Sequence, residues 1–159
     1  MFSLPENTKI VQAITPTIGL AAAMNATPVS LKNCHRLYAV CHVSPVGGAA
    51  MAFVPQTDTL VAFASATALA NTVRIWANED VGTDDTLVEQ TAAVNFTTTA
   101  DVNNKLVIFE IDPANLTAGE DCFRISITNV PATDYVSVEY YMVPRHASRV
   151  STQATAITD

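Results

Sequence analysis

Arg36-Leu-Tyr-Ala-Val-Cys-His-Val43 changes character at every step, with Leu37, Ala39, Cys41 and Val43 on one side and Arg36, Tyr38, Val40 and His42 on the other. A period of two belongs to a β-strand with one face turned to a core. The same period recurs along the chain. Ser44-Pro-Val-Gly-Gly48 supplies turn chemistry, and Ala49 to Val54 is expected to return as a hairpin partner with Met51 and Phe53 inward. Further strands are expected at Thr72 to Ala77, at Ala92, Val94 and Phe96, and from Lys105 to Ile111, where Asp112-Pro113 ends the ladder. Cys122 to Thr128 and Tyr135 to Val143 complete the series, with Phe123, Ile125 and Ile127 inward in the one and Val136, Val138, Tyr140 and Met142 in the other. Residues 58 to 70 fit two readings: a short helix capped by Asp58 and carrying Leu60, Val61 and Phe63, or a strand through Val61 and Phe63.

Short strands between turn signals, with no obligatory helix, imply an all-β chain folded as an antiparallel β-sandwich, jelly-roll-like. The flanks carry no hydrophobic period. Residues 1–28 hold Pro5, Pro16, Pro28 and an alanine run, so they are expected to form an extended N-terminal arm; residues 29–143 make the sandwich and 144–159 a C-terminal tail. The middle segment is long enough to bury a core without staples. With three cysteines and no basic, apolar leader at Met1, folding in a reducing cytosol is the expectation. Hydrophobic residues are 49% of the chain but fall in short groups, so no membrane-crossing helix and no membrane partner are expected.

The formal charge is −7, concentrated in Glu79, Asp80, Asp84, Asp85, Glu89, Asp101, Glu110, Asp112, Glu120 and Asp121, with Lys105 the lone cation between them. Such a stretch repels a phosphate backbone, so no nucleic acid is expected as partner. Cations gather near the ends of the sandwich, at Lys32, Arg36, Arg145 and Arg149. They suit contact with an acidic surface, though ordinary solvated charge is the simpler reading.

Some strands are apolar on both sides. Leu106 and Ile108 oppose Val107, Phe109 and Ile111; Tyr38 and Val40 lie outward on the first strand, Tyr135, Tyr141 and Val143 on the last, and Trp76 points away from Ile75 and Ala77. A soluble chain seldom leaves such a set wet. The cover would be the chain's own arms, a second copy, or a foreign surface. Tyr38, Trp76, Leu106, Ile108, Tyr135, Tyr141, Arg145, His146 and Arg149 are therefore the candidate protein-interface residues.

Residues suited to chemistry are sparse. Cys34-His35 and Cys41-His42 offer zinc-type donors, but seven residues of strand hold the two pairs about 23 Å apart. Cys41 inward and His42 outward is the simpler expectation, and the same separation excludes a Cys34–Cys41 disulfide. Glu110 and Asp112 lie about 7 Å apart on one strand face, within the spacing of glycosidase carboxylates, yet Asp112 before Pro113 suits a turn and Glu110 suits solvent. The acidic loop from Asn78 to Glu89 lacks the register of a calcium-binding loop, and phosphate-cradling, dinucleotide, zinc-protease and serine-elbow motifs are absent. The expectation is a protein that is not an enzyme, with no catalytic, cofactor-binding or metal-ligating residue assigned.

Val29-Ser-Leu-Lys-Asn-Cys-His-Arg-Leu37, Trp76-Ala-Asn-Glu-Asp80, Val107-Ile-Phe-Glu-Ile-Asp112 followed by Leu116, Cys122-Phe-Arg-Ile125 and Tyr140-Tyr-Met-Val-Pro-Arg145 resemble segments of small virion proteins of tailed bacteriophages. The match spans most of residues 29 to 145. The resemblance implies a jelly-roll head decoration, or cement, protein. Such a protein is made in the host cytoplasm, sits on the capsid exterior and bridges subunits of the major capsid protein as a dimer or trimer. Its arms would lie along the shell. Where the group carries an aromatic after that arginine, this chain has His146. Two other functions fit the same class of fold: a carbohydrate- or receptor-binding module of a phage tail, and an enzyme using Glu110 and Asp112.

Overall fold

The computed structural model describes residues 3–145 and 155–158. A helical turn α1 (Leu4–Asn7) leads into β1 (Lys9–Ile18), β2 (Met24–Asn25), β3 (Val29–Ser30), β4 (Cys34–Ser44), β5 (Ala52–Asp58), β6 (Thr67–Ala68) and β7 (Val73–Asn78). Then follow β8 (Val88–Ala93), β9 (Phe96–Thr97), β10 (Lys105–Ile111), a 3-10 turn at Pro113–Asn115, β11 (Cys122–Thr128) and β12 (Tyr135–Pro144). They form two antiparallel sheets packed as a β-sandwich. Sheet A has the order β1-β12-β4-β10-β7-β8, and sheet B runs β2-β11-β5-β6, with β3 also on β11 and β9 on β5.

The alternation read from the sequence decides which side chains meet between the sheets. Leu37, Ala39, Cys41 and Val43 of β4, Val107, Phe109 and Ile111 of β10, and Val136, Val138, Tyr140 and Met142 of β12 face Phe53, Phe123, Ile125 and Ile127 of sheet B in one core. Tyr140 does more than fill space. Along β11 the edge pairing is interrupted between β3, at Cys122 and Phe123, and β2, at Ser126 and Ile127. In that gap the Ile125 N–H donates to the Tyr140 hydroxyl across the core at 2.9 Å. A buried donor left unmet costs free energy, so this bond ties one sheet to the other.

Five expectations are corrected. The segment 1–28 is not a free arm: β1 is hydrogen-bonded to β12 over Lys9 to Ile18, and Ala13, Ile14, Met24 and Ala26 are buried in the core. The alternation was hidden by Pro16 and by two register shifts between Gln12 and Thr17, and bulges and proline are ordinary on an edge strand. Gly19 then crosses tight against the β11–β12 loop, where a Cβ would stand 2.0 Å from the Pro131 carbonyl oxygen. The 144–159 tail is not free throughout either, because Pro144 belongs to β12, and Ala156 is buried with its carbonyl accepting from the Ser30 N–H at 2.6 Å.

The hairpin expected after β4 does not form. Asp134 Oδ1 accepts from the Val46 and Gly47 N–H groups, Gly48 takes a φ of 70°, and the chain crosses to sheet B, where β5 pairs with β11. The strand expected through Ala92, Val94 and Phe96 is split, β8 ending at Ala93 in sheet A and β9 starting at Phe96 in sheet B. Of the two readings for residues 58–70 neither holds beyond β6: Asp58 accepts from Thr59 N and Ser65 N and bends the segment into a loop.

Candidate functional site

The register of sheet A assembles the outward residues into rows. Ile10, Tyr141, Tyr38, Glu110 and Arg74 stand side by side across β1, β12, β4, β10 and β7. The next row is Gln12, Glu139, Val40, Ile108, Trp76 and Glu89, and the third is Ser137, His42, Leu106 and Asn78. An apolar stripe of Tyr141, Tyr38, Val40, Ile108, Trp76 and Leu106 thus runs obliquely over the outer face. All six are half-buried. Among the described residues no strand or helix stacks on this face.

A ladder of charges borders the stripe. Glu110, whose side chain is 9% exposed, lies between Arg36 Nη1 and Arg74 Nη1, the latter at 3.4 Å. Arg36 also reaches Asp112 at 3.3 Å, and Arg74 reaches Glu89 at 2.8 Å. Hydrogen bonding to Glu110 raises the pKa of Arg36, and bonding to Glu89 raises that of Arg74. The Arg74 guanidinium covers the Trp76 ring, 5.1 Å from its centroid. The Tyr141 hydroxyl donates to Glu139 at 2.7 Å, which lifts its pKa above the usual phenol range.

Toward the loop end the face deepens into a shallow groove of about 260 Å³, lined by Pro16, His42, Ser44, Val81, Tyr135 and Ser137 among others. Beyond the groove lies the acidic end of the molecule. Lys105, fully buried, is its counter-ion: Nζ lies 2.6 Å from Asp101 Oδ1 and 3.7 Å from Glu79 Oε2, and donates to the Glu79 carbonyl and the Thr99 hydroxyl. The hydrogen bond from Lys105 holds the Asp101 carboxyl at a pKa of about 2.

Of the residues expected at an interface, Tyr38, Trp76, Leu106, Ile108 and Tyr141 share the stripe, with Tyr135, 53% exposed, at the groove. Arg145 is elsewhere, at the foot of β4, where its backbone N–H donates to Asn33 O and its Nε to Cys34 O. His146 and Arg149 lie outside the described residues. Val40 and His42 belong to the face, where the alternation already set them, but were not among the candidate interface residues. Arg36, Arg74 and Glu110 could not be grouped from the sequence, because their pairing depends on cross-strand register.

The residues weighed for chemistry are occupied otherwise. Glu110 and Asp112 share Arg36, and Asp112 also caps the 3-10 turn by accepting from Ala114 N. Cys34 and Cys41 face inward on one continuous strand while His35 and His42 face out, and burial pushes the Cys34 thiol up to about 12. Among the described residues no group of three His, Cys, Asp or Glu side chains could hold a metal ion. Comparison with models of protein families, with curated proteins and with solved structures finds no match.

Proposed function

We propose that this chain is a structural virion protein of a tailed bacteriophage, binding the outside of an assembled capsid and bridging subunits of its major capsid protein. The observation that carries the reading is the half-buried stripe on the outer face of sheet A, which only a second macromolecular surface could cover at one stroke. The resemblance of residues 29–145 to phage decoration proteins supplies the setting. With β1 and Ala156 built into the sandwich, the grip expected of loose arms passes to this face.

A protein that binds the assembled lattice and not its separate subunits stabilises the lattice by its binding free energy at every site. No bond is made or broken, and copies linked as a dimer or trimer would gain from effective concentration. The test mixes the purified protein with undecorated shells, expanded and unexpanded, and sediments them. Co-sedimentation with expanded shells and its loss in Trp76→Ser are expected. Protein left in the supernatant with both kinds of shell overturns the reading, and glycan binding in its place favours a tail module.

A further inference from the structure

We infer that residues 59–66 form a lid on the outer face of sheet B, opening and closing as a unit while the sandwich stays folded. Its two roots are fixed. Thr57 and Thr67 are paired across β5 and β6, and the Glu120 carboxylate accepts from both hydroxyls, at 2.6 and 2.7 Å. Between the roots and Asp58 only Phe63 is buried, with Ala62 and Ala64 on either side of it and Leu60 54% exposed. Two contacts close the segment. Ser65 N donates to the buried Asp58 carboxylate at 2.8 Å, and the Phe63 ring lies under the Arg124 guanidinium, its centroid 4.5 Å away.

The closing side chain is under strain. Phe63 takes a φ of 51°, in the left-handed region that a bulky residue avoids, and its N–H donates to the Leu60 carbonyl at 3.0 Å. Lifting the ring lets that backbone relax, which offsets part of the burial lost. The seat does not depend on the lid, because Arg124 Nε donates to Gln56 Oε1 at 2.8 Å, from β11 to β5. One buried anchor, strained and set between fixed roots, is what a local opening well below the cost of global unfolding requires. Opening bares Arg124 and Phe63 together, so a face that is closed at rest comes to offer a cation and an aromatic ring.

Hydrogen exchange of the full chain at pH 7, followed by NMR in rising urea below the unfolding transition, reads the opening directly. The Phe63 and Ser65 N–H groups report on the lid, and the Ile125 N–H, bonded across the core to Tyr140, reports on the sandwich. Both lid amides are expected to exchange about a hundredfold faster than Ile125 or more, through an opening that urea barely changes. If either exchanges only at the rate and with the urea dependence of Ile125, the segment leaves with the sandwich and the inference fails. Phe63→Gly, which accepts the left-handed backbone without supplying the ring, should speed Ser65 exchange about tenfold or more. Unchanged exchange in that variant would mean that the ring does not hold the segment, and also overturns the inference. No shell enters the measurement, so its outcome is separate from that of docking.

Discussion

The two outer faces of the sandwich solve the same problem in different ways. On sheet B the outward pairs are Arg124 with Gln56, Ser126 with Val54 and Thr128 with Ala52, and all but Val54 are polar or small. On that side Phe63, a large apolar group outside the main core, comes from the loop after β5 and is buried beneath the Arg124 guanidinium, 4.5 Å from its ring centroid. Sheet A carries Tyr38, Trp76, Ile108 and Tyr141 on its outside, all half-buried, and among the described residues no further strand is layered on that side. Exposure of single apolar residues is ordinary, whereas a contiguous stripe opposite a self-covered face is the contrast on which the proposed docking rests.

That contrast depends on sheet A being whole, and the largest effect tests this. Deleting residues 1–18 removes β1 from β12 and takes Ala13 and Ile14 from the core, so the truncated chain is expected to lose its cooperative melt. A truncated protein that melts as before would return the segment to the status of a free arm. Next in size is Phe63→Ala, which uncovers the sheet B face at a cost of about 3 kcal/mol. Trp76→Ser on the opposite face is expected to stay within about 0.5 kcal/mol of wild type, since only a half-covered surface contact is lost. Equal losses from the two substitutions, read by urea unfolding, would erase the distinction between the faces.

Much of this is legible in the sequence. Strands β4, β10, β11 and β12 follow from a period of two, and the same period placed Tyr38, Val40, Trp76, Leu106 and Ile108 outward. β1 was not legible because Pro16 and its bulges break the period on an edge strand, where only one neighbour enforces it. The split between β8 and β9 and the missing hairpin depend on which sheet a strand joins. That choice is made by distant groups such as the Asp134 carboxylate on the loop after β4. The ion ladder of Arg36, Glu110, Arg74 and Glu89 needs register across four strands, and one chain read in order does not contain it.

A subtler probe asks whether the faces answer to each other through the core. Tyr140→Phe keeps the ring packing against Phe123, at 5.8 Å between centroids, but leaves the Ile125 N–H without its acceptor. The loss is expected to be about 1 to 3 kcal/mol in urea unfolding, the cost of a buried donor left unmet. A neutral result would mean that the sheets are joined by packing alone.

The smallest effect concerns the acidic end around Lys105, which lies off the stripe. Asp101 has its pKa depressed from 3.8 to about 2 through its bond with Lys105, so the carboxylate is favoured more by the folded chain than by the unfolded one. Its contribution to stability is complete above about pH 4, where both states are ionised, and is lost as the pH falls through about 2. Melting temperature should therefore drop between pH 4 and pH 2, and Asp101→Asn should melt lower at pH 5 and lose less than wild type over that interval. Because Asp101 is more than a third exposed, solvent screens the pair and the shift should be a few degrees at most. Binding to shells at pH 5 should be the same for Asp101→Asn as for wild type, since the residue shapes the end of the molecule and touches nothing on the stripe. A variant that docks more weakly while melting normally would move the contact surface off sheet A and onto the loops around Lys105.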